Sequence, residues 1–185
     1  PYSSVGPGRS PGLVKPDVVA FGGSDQDPYY VVSPTDPSSA MSIMGTSFAA
    51  PTVLRLAAGI RGHFGQSLTP LAIKALLINK STKGNHLQSD VGWGRAPDSI
   101  EDIVICDDNT ATVVYQDYLD SKQYIRAALP IPNTISGSVR ITATICYSTE
   151  VDPQDVSSYT MSGIEITFRP NDTQYNEGAT HPKTD

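Results

Sequence analysis

Two helical patterns in close succession, over residues 46–79, constrain this chain more than any other feature. Val53, Leu56, Ala57, Ile60 and Phe64 recur at three- and four-residue intervals. That spacing lays one apolar stripe along a helix beginning at Thr46. Gly65 closes it as a left-handed cap. Thr69 and Pro70 then open a second helix, a capping side chain followed by proline at the first helical position. Ala72, Ile73, Leu76 and Leu77 supply its buried face, and it ends near Asn79. With 38% hydrophobic and 17% charged residues, the chain can build the core such faces require and is not of the disordered type.

Around this pair the pattern changes. Residues 1–16 are rich in Pro, Gly and Ser and read as loop. Val18-Val19-Ala20, closed by Gly22-Gly23, is a short apolar run that predicts a buried strand. Residues 24–41 read as loop, since Pro28, Pro34 and Pro37 exclude a regular helix. Beyond residues 92–97 the period becomes two. Val139, Ile141, Ala143, Ile145 and Tyr147 alternate with polar or small neighbours, the pattern of a half-buried antiparallel strand. Ile164, Ile166 and Phe168 form a second alternating run, and 110–116 and 122–129 are weaker ones. The expected architecture is therefore a first domain over 1–100 and an antiparallel β-sandwich over 101–185, the last fifteen residues being loop or tail.

Charge agrees with a boundary near residue 100. Residues 1–100 hold eight basic and six acidic side chains, a balance of +2, whereas residues 101–185 hold five and thirteen, a balance of −8. The total of −6 argues against nucleic acid or an anionic membrane surface as the main partner. No apolar run is long enough to span a bilayer. Cys106 and Cys146 have neither metal-ligand spacing nor a redox pair, and read as buried free thiols. No His/Cys spacing supports a metal, no loop motif supports calcium, and no cofactor is implied. Short glycosylation matches at Asn79 and Asn171 carry no weight without a secretory context. The chain begins Pro1-Tyr2 with no initiator Met and is expected to be a piece of something longer. The compartment stays open.

Chemistry concentrates at "MGTSFAAP", residues 44–51. Ser47 has two readings: a helix N-cap, or a nucleophile. The neighbours favour an exposed hydroxyl. Gly45 permits close approach to the helix start, Ala49 and Ala50 keep the first turn slim, and Pro51 is expected at the end of that turn, where a missing N–H costs least. Free N–H groups at such a helix start suit a developing oxyanion.

"GTSFAAP" (45–51) resembles the active-site serine motif of the subtilisin-like serine peptidases, the subtilases. "SSVGP" (3–7), "KPDVVAFGG" (15–23) and "GWGR" (92–95) resemble further segments of that family, in the family's order. The resemblance covers roughly residues 2–97 and departs at Phe21, where the family usually has proline. It implies the C-terminal part of an α/β domain with a largely parallel sheet over 1–100. It also implies a jelly-roll-like sandwich after it, Ser47 as nucleophile, the Ser47 backbone N–H as one oxyanion donor, and Gly45, Thr46 and Pro51 as motif support. A peptide or protein would be the substrate.

The resemblance also implies an Asp and a His before the serine, together with an oxyanion asparagine. None of the 46 residues before Ser47 is His or Asn. His63 lies sixteen positions along the same helix, about 24 Å away, and His86 and His181 read as surface residues. Asp17 reads as a turn anchor; Asp25, Asp27 and Asp36 read as loop residues. An α/β-hydrolase elbow needs Gly where this chain has Ala49. The expectation is thus a parent serine endopeptidase whose base, Asp and Asn come from an upstream half of the same domain, and a chain inactive alone. A non-catalytic pseudo-protease or protein-binding scaffold is the alternative.

Overall fold

In a computed structural model, the described residues are 3–8, 13–132 and 134–168. Cα packing divides the chain into two compact units, Pro1–Ser148 and Thr149–Asp185. The regular elements among the described residues of the first unit are β1 (Tyr29–Val32), β2 (Ala40–Ile43), α1 (Thr46–Phe64), a 3-10 turn (Gly65–Ser67), α2 (Pro70–Asn79), α3 (Gln88–Val91) and α4 (Glu101–Val104).

The helix pair forms for the reasons its residues give. Gly65 follows α1 at φ 62° and returns its N–H to the Arg61 carbonyl, ending the helix where an L side chain would be strained. Thr69 accepts the Ala72 N–H at 3.2 Å on its hydroxyl, and Pro70 needs no partner at the first position. Leu56 and Ile60 of α1 face Ala72, Ile73, Leu76 and Leu77 of α2, and Leu68, Ala96 and Ile103 complete the core. Phe64, expected in the stripe, is 39% exposed. Gly59 lets α1 approach Ile100, whose Cδ1 lies 2.9 Å from where a Cβ would stand.

Three expectations fail. Residues 24–41 are not all loop: β1 and β2 pair antiparallel, Tyr29 opposite Ile43 and Val32 opposite Ala40. The prolines bracket this hairpin instead of preventing it, Pro28 preceding β1 and Pro34 and Pro37 lying in its turn, and Tyr29–Val32 is made of good strand formers. The largely parallel sheet is absent from the described residues. What remains is one parallel bridge, Val19 with Arg95, beside an antiparallel bridge of Arg95 with Thr82. Two hydrogen bonds carry the first: Val19 N–H to the Gly94 carbonyl at 2.9 Å, and Ala96 N–H to the Val19 carbonyl at 2.8 Å.

The jelly-roll-like sandwich over 101–185 is also overturned. Residues 101–104 are helical, and no strand ladder occurs between 105 and 168 among the described residues. Val139, Ile141, Ile145, Tyr147, Ile164, Ile166 and Phe168 are exposed. Alternation fixes which way side chains would point in a strand, but a strand persists only with a partner. Side-chain hydrogen bonds join residues 105–148 to the helix pair. The Gln116 amide donates to the Ser67 carbonyl and accepts the Thr69 N–H, while Asn79 donates to the Thr144 hydroxyl at 3.0 Å. Both cysteines are free and half-buried. Among the described residues the second unit has one bridge, Val151 with Thr160, and its Asp155 carboxylate accepts from the N–H groups of Ser157 and Ser158. The last fifteen residues, with Asn171 and His181, lie outside the described residues.

Candidate active site

Gly45 occupies the position before α1, Thr46 and Ser47 are its first two residues, and Pro51 is its sixth. Ser47 is exposed, and its hydroxyl has no hydrogen-bond partner among the described residues. The helix-cap reading therefore finds no support: the residue before α1 is Gly45, with no side-chain cap bond. The Ser47 N–H lies in the first turn, where no helical carbonyl is available four residues back. Pro51 sits later than the sequence suggests. As the residue four beyond Ser47, it removes the N–H that would bond the Ser47 carbonyl. Both ends of the Ser47 peptide unit thus lack the usual helical partners.

The segments flanking this helix start converge on it and on one another, mostly through glycines. Gly45 N–H donates to the Gly22 carbonyl at 2.8 Å, and a Cβ on Gly22 would stand 2.7 Å from the Gly45 oxygen. So residues 15–23 and 45–51 touch backbone to backbone. Trp93 N–H donates to the Asp17 carbonyl at 3.0 Å, and a Cβ on Gly92 would lie 1.8 Å from the Pro16 oxygen. Gly6 N–H donates to the Ser89 carbonyl at 2.7 Å, and a Cβ there would meet the Lys15 oxygen at 2.0 Å. All four stretches singled out in the sequence form one continuous packed body.

Side chains add an aromatic ladder that the sequence does not announce. Tyr29 of β1 stacks on Phe48, the residue after Ser47, with centroids 5.9 Å apart and planes at 28°. Phe21 also lies beside Tyr29, their centroids 6.4 Å apart and their planes tilted by 32°. The Phe48 ring also folds back over Gly45: its Cδ2 is 3.6 Å from a Cβ built there.

Other candidates are placed elsewhere. His63 lies near the end of α1, edge-on to Phe64 at 4.7 Å, and His86 is in an exposed loop. Asp17 does not anchor a turn through its side chain. It pairs with Lys15 at 2.5 Å and with Lys74 of α2 at 2.7 Å. Partial burial pushes its pKa up, but the hydrogen bonds and charges of the two lysines outweigh that and hold it below its ordinary 3.8. Asp36 caps its own turn, accepting from the Ser38 N–H and hydroxyl. Among the described residues no three His, Cys, Asp or Glu side chains gather as a metal would require, and no helix is long and apolar enough to cross a membrane. An open, mostly apolar groove of about 270 Å³ lies between Val18, α1 and α2, and Ser47 is not in its wall.

The helix start thus carries an exposed serine with no side-chain cap, and residues 15–23 pack against it through Gly22 and Gly45. The sequence model of the subtilase family matches residues 1–94, half of the chain, and the chain belongs to that family. No individual curated protein and no solved structure matches it.

Proposed function

We propose that Ser47 is the nucleophile of a subtilisin-like serine endopeptidase, and that its base comes from a segment outside these 185 residues. The observation that carries this is the packing of Gly22 directly onto Gly45, with Ser47 left exposed beyond it and without a hydrogen-bond partner among the described residues. The Ser47 oxygen attacks the scissile carbonyl of a peptide and the base takes its proton; the C–N bond then breaks as the base passes that proton to the leaving amine, and water later cleaves the acyl-enzyme. The Ser47 N–H donates to the oxyanion, alongside a donor from the same outside segment. One such donor is worth about 10²–10³ in rate. Residues 1–100 act as the C-terminal part of the catalytic domain, with Gly45, Thr46 and Pro51 shaping the turn that presents Ser47.

Neither histidine among the described residues serves the role, because His63 stands about 24 Å along the helix and His86 is in a separate exposed loop. The chain alone is therefore inactive. The test is labelling with a fluorophosphonate. The full-length protein should label and hydrolyse peptide, Ser47→Ala should do neither, and the isolated 185 residues should not turn over. Ser47-dependent hydrolysis by the isolated chain would refute the external base. A full-length protein that neither labels nor cleaves would instead be a binding scaffold.

A further inference from the structure

We propose that Tyr29 is a positioning residue for the nucleophile, acting through Phe48; this rests on Ser47 being that nucleophile. Phe48 is the side chain next to Ser47, and its ring has two neighbours that bear on the turn. Tyr29 stacks on it at 5.9 Å, and its own ring lies against Gly45, the residue that precedes the helix. These contacts matter because the backbone here holds itself weakly. Pro51 withdraws the N–H that would bond the Ser47 carbonyl, the start of α1 has no side-chain cap, and the Ser47 hydroxyl has no partner among the described residues.

What fixes the turn is the Gly22–Gly45 hydrogen bond, the Phe48 N–H to Gly45 carbonyl bond at 3.0 Å, and the ladder. Tyr29 is itself seated firmly. Gly23 stands at φ 91°, and a Cβ there would lie 2.9 Å from the Tyr29 nitrogen and 2.8 Å from the Ile43 oxygen. The hairpin of β1 and β2 is thus built onto the same turn that bonds Gly45, and it delivers one ring to the residue after the nucleophile. Loss of that ring frees the Phe48 rotamer and lets the Ser47 turn wander. Displacements on the order of 1 Å cost up to about 100-fold in rate at such sites.

The experiment is active-site titration of the full-length protein with an activated ester, which reports the number of acylating sites and the rate constant at each. Tyr29→Leu should keep the full burst amplitude while acylation at each site slows about ten-fold, and Tyr29→Phe should restore the rate, since the ring and not the hydroxyl stacks. KM should move less than kcat. A Tyr29→Leu protein that acylates at the parent rate overturns the proposal. So does one that loses burst amplitude with an unchanged rate per site, which is the result of a merely structural role. If Tyr29→Leu yields no folded protein, Phe21→Leu decides at the exposed end of the ladder: slowed acylation supports positioning, and an unchanged rate overturns it. Acylation that persists in Ser47→Ala refutes the nucleophile assignment instead, so the two failures are separable.

Discussion

Residues 46–105 bury Leu56, Ile60, Leu76 and Ile103 almost completely, whereas residues 111–147 leave Val113, Tyr115, Ile141 and Tyr147 exposed. Both stretches are well supplied with large apolar side chains. The difference lies in how each positions them. A helix satisfies its own backbone and needs only one apolar neighbour, which α1 and α2 supply to each other. An extended segment must find hydrogen-bond partners in another segment, and none of 111–147 enters a ladder among the described residues. Glycines mark the same contrast. Gly92 and Gly137 both have positive φ, 61° and 106°, yet a Cβ on Gly92 would strike Pro16 while one on Gly137 would meet nothing within 4 Å.

That pair gives the largest expected effect. Gly92→Ala combines left-handed strain with a backbone collision that cannot be relieved by a rotamer change. It should cost about 3 kcal/mol or more, enough to prevent folding of a marginal domain. Gly137→Ala carries the dihedral strain alone, about 1–2 kcal/mol. Urea unfolding of the two variants measures the gap. Equal losses would mean that residues 13–17 do not pack on 92–94 as described, and the contrast between the two stretches would collapse.

Next in size is the core itself. Ile60 is 0% exposed and Ile141 is 43% exposed. Ile60→Ala should cost about 2–5 kcal/mol, and Ile141→Ala less than about 1 kcal/mol. A loss at Ile141 matching that at Ile60 would show that 139–147 is buried after all and would restore the case for a packed strand there.

These contrasts also locate what the sequence can and cannot tell. α2 is legible to the residue because its signals are local: Thr69 caps, Pro70 starts, and the apolar face follows at helical spacing. The subtilase membership is legible because "GTSFAAP" and its flanking segments are contiguous strings. The hairpin is not, since prolines read as breakers whether they interrupt a strand or bound it. Val18-Val19-Ala20 looks like a sheet strand, but its single parallel bridge is made with Arg95, far along the chain. Pairing of that kind is a property of the fold, and no local window contains it. The same holds at the candidate site. Ser47 stands out from its neighbours in sequence, whereas the stacking of Tyr29 on Phe48 joins a strand to a helix and leaves no signature in spacing. The alternation at 139–147 misleads for the complementary reason: it describes one half of a pairing.

The smallest effect separates two carboxylates held below the ordinary 3.8 by different means. At Asp17, burial works against ionisation and is outweighed by Lys15 and Lys74. At Asp155, fully exposed, the Ser157 hydroxyl comes first, followed by the N–H groups of Ser158 and Ser157, with no cation among the causes. Each folded-state pKa lies below its unfolded value, so each group's contribution is present above pH 3.8 and disappears as pH falls through the lower, folded value. Salt should tell them apart. At about 1 M the screening length shrinks to about 3 Å, which weakens the exposed lysine pairs but not hydrogen bonds from neutral donors. Carboxyl-carbon NMR titration should therefore find the Asp17 pKa rising toward 3.8 between low and high salt, and the Asp155 pKa unmoved. A salt-insensitive Asp17 would mean that the lysines hold it by hydrogen-bond geometry alone. In that case the link from residues 15–17 to α2 is a fixed structural joint, and high salt should leave the packing behind Ser47 intact.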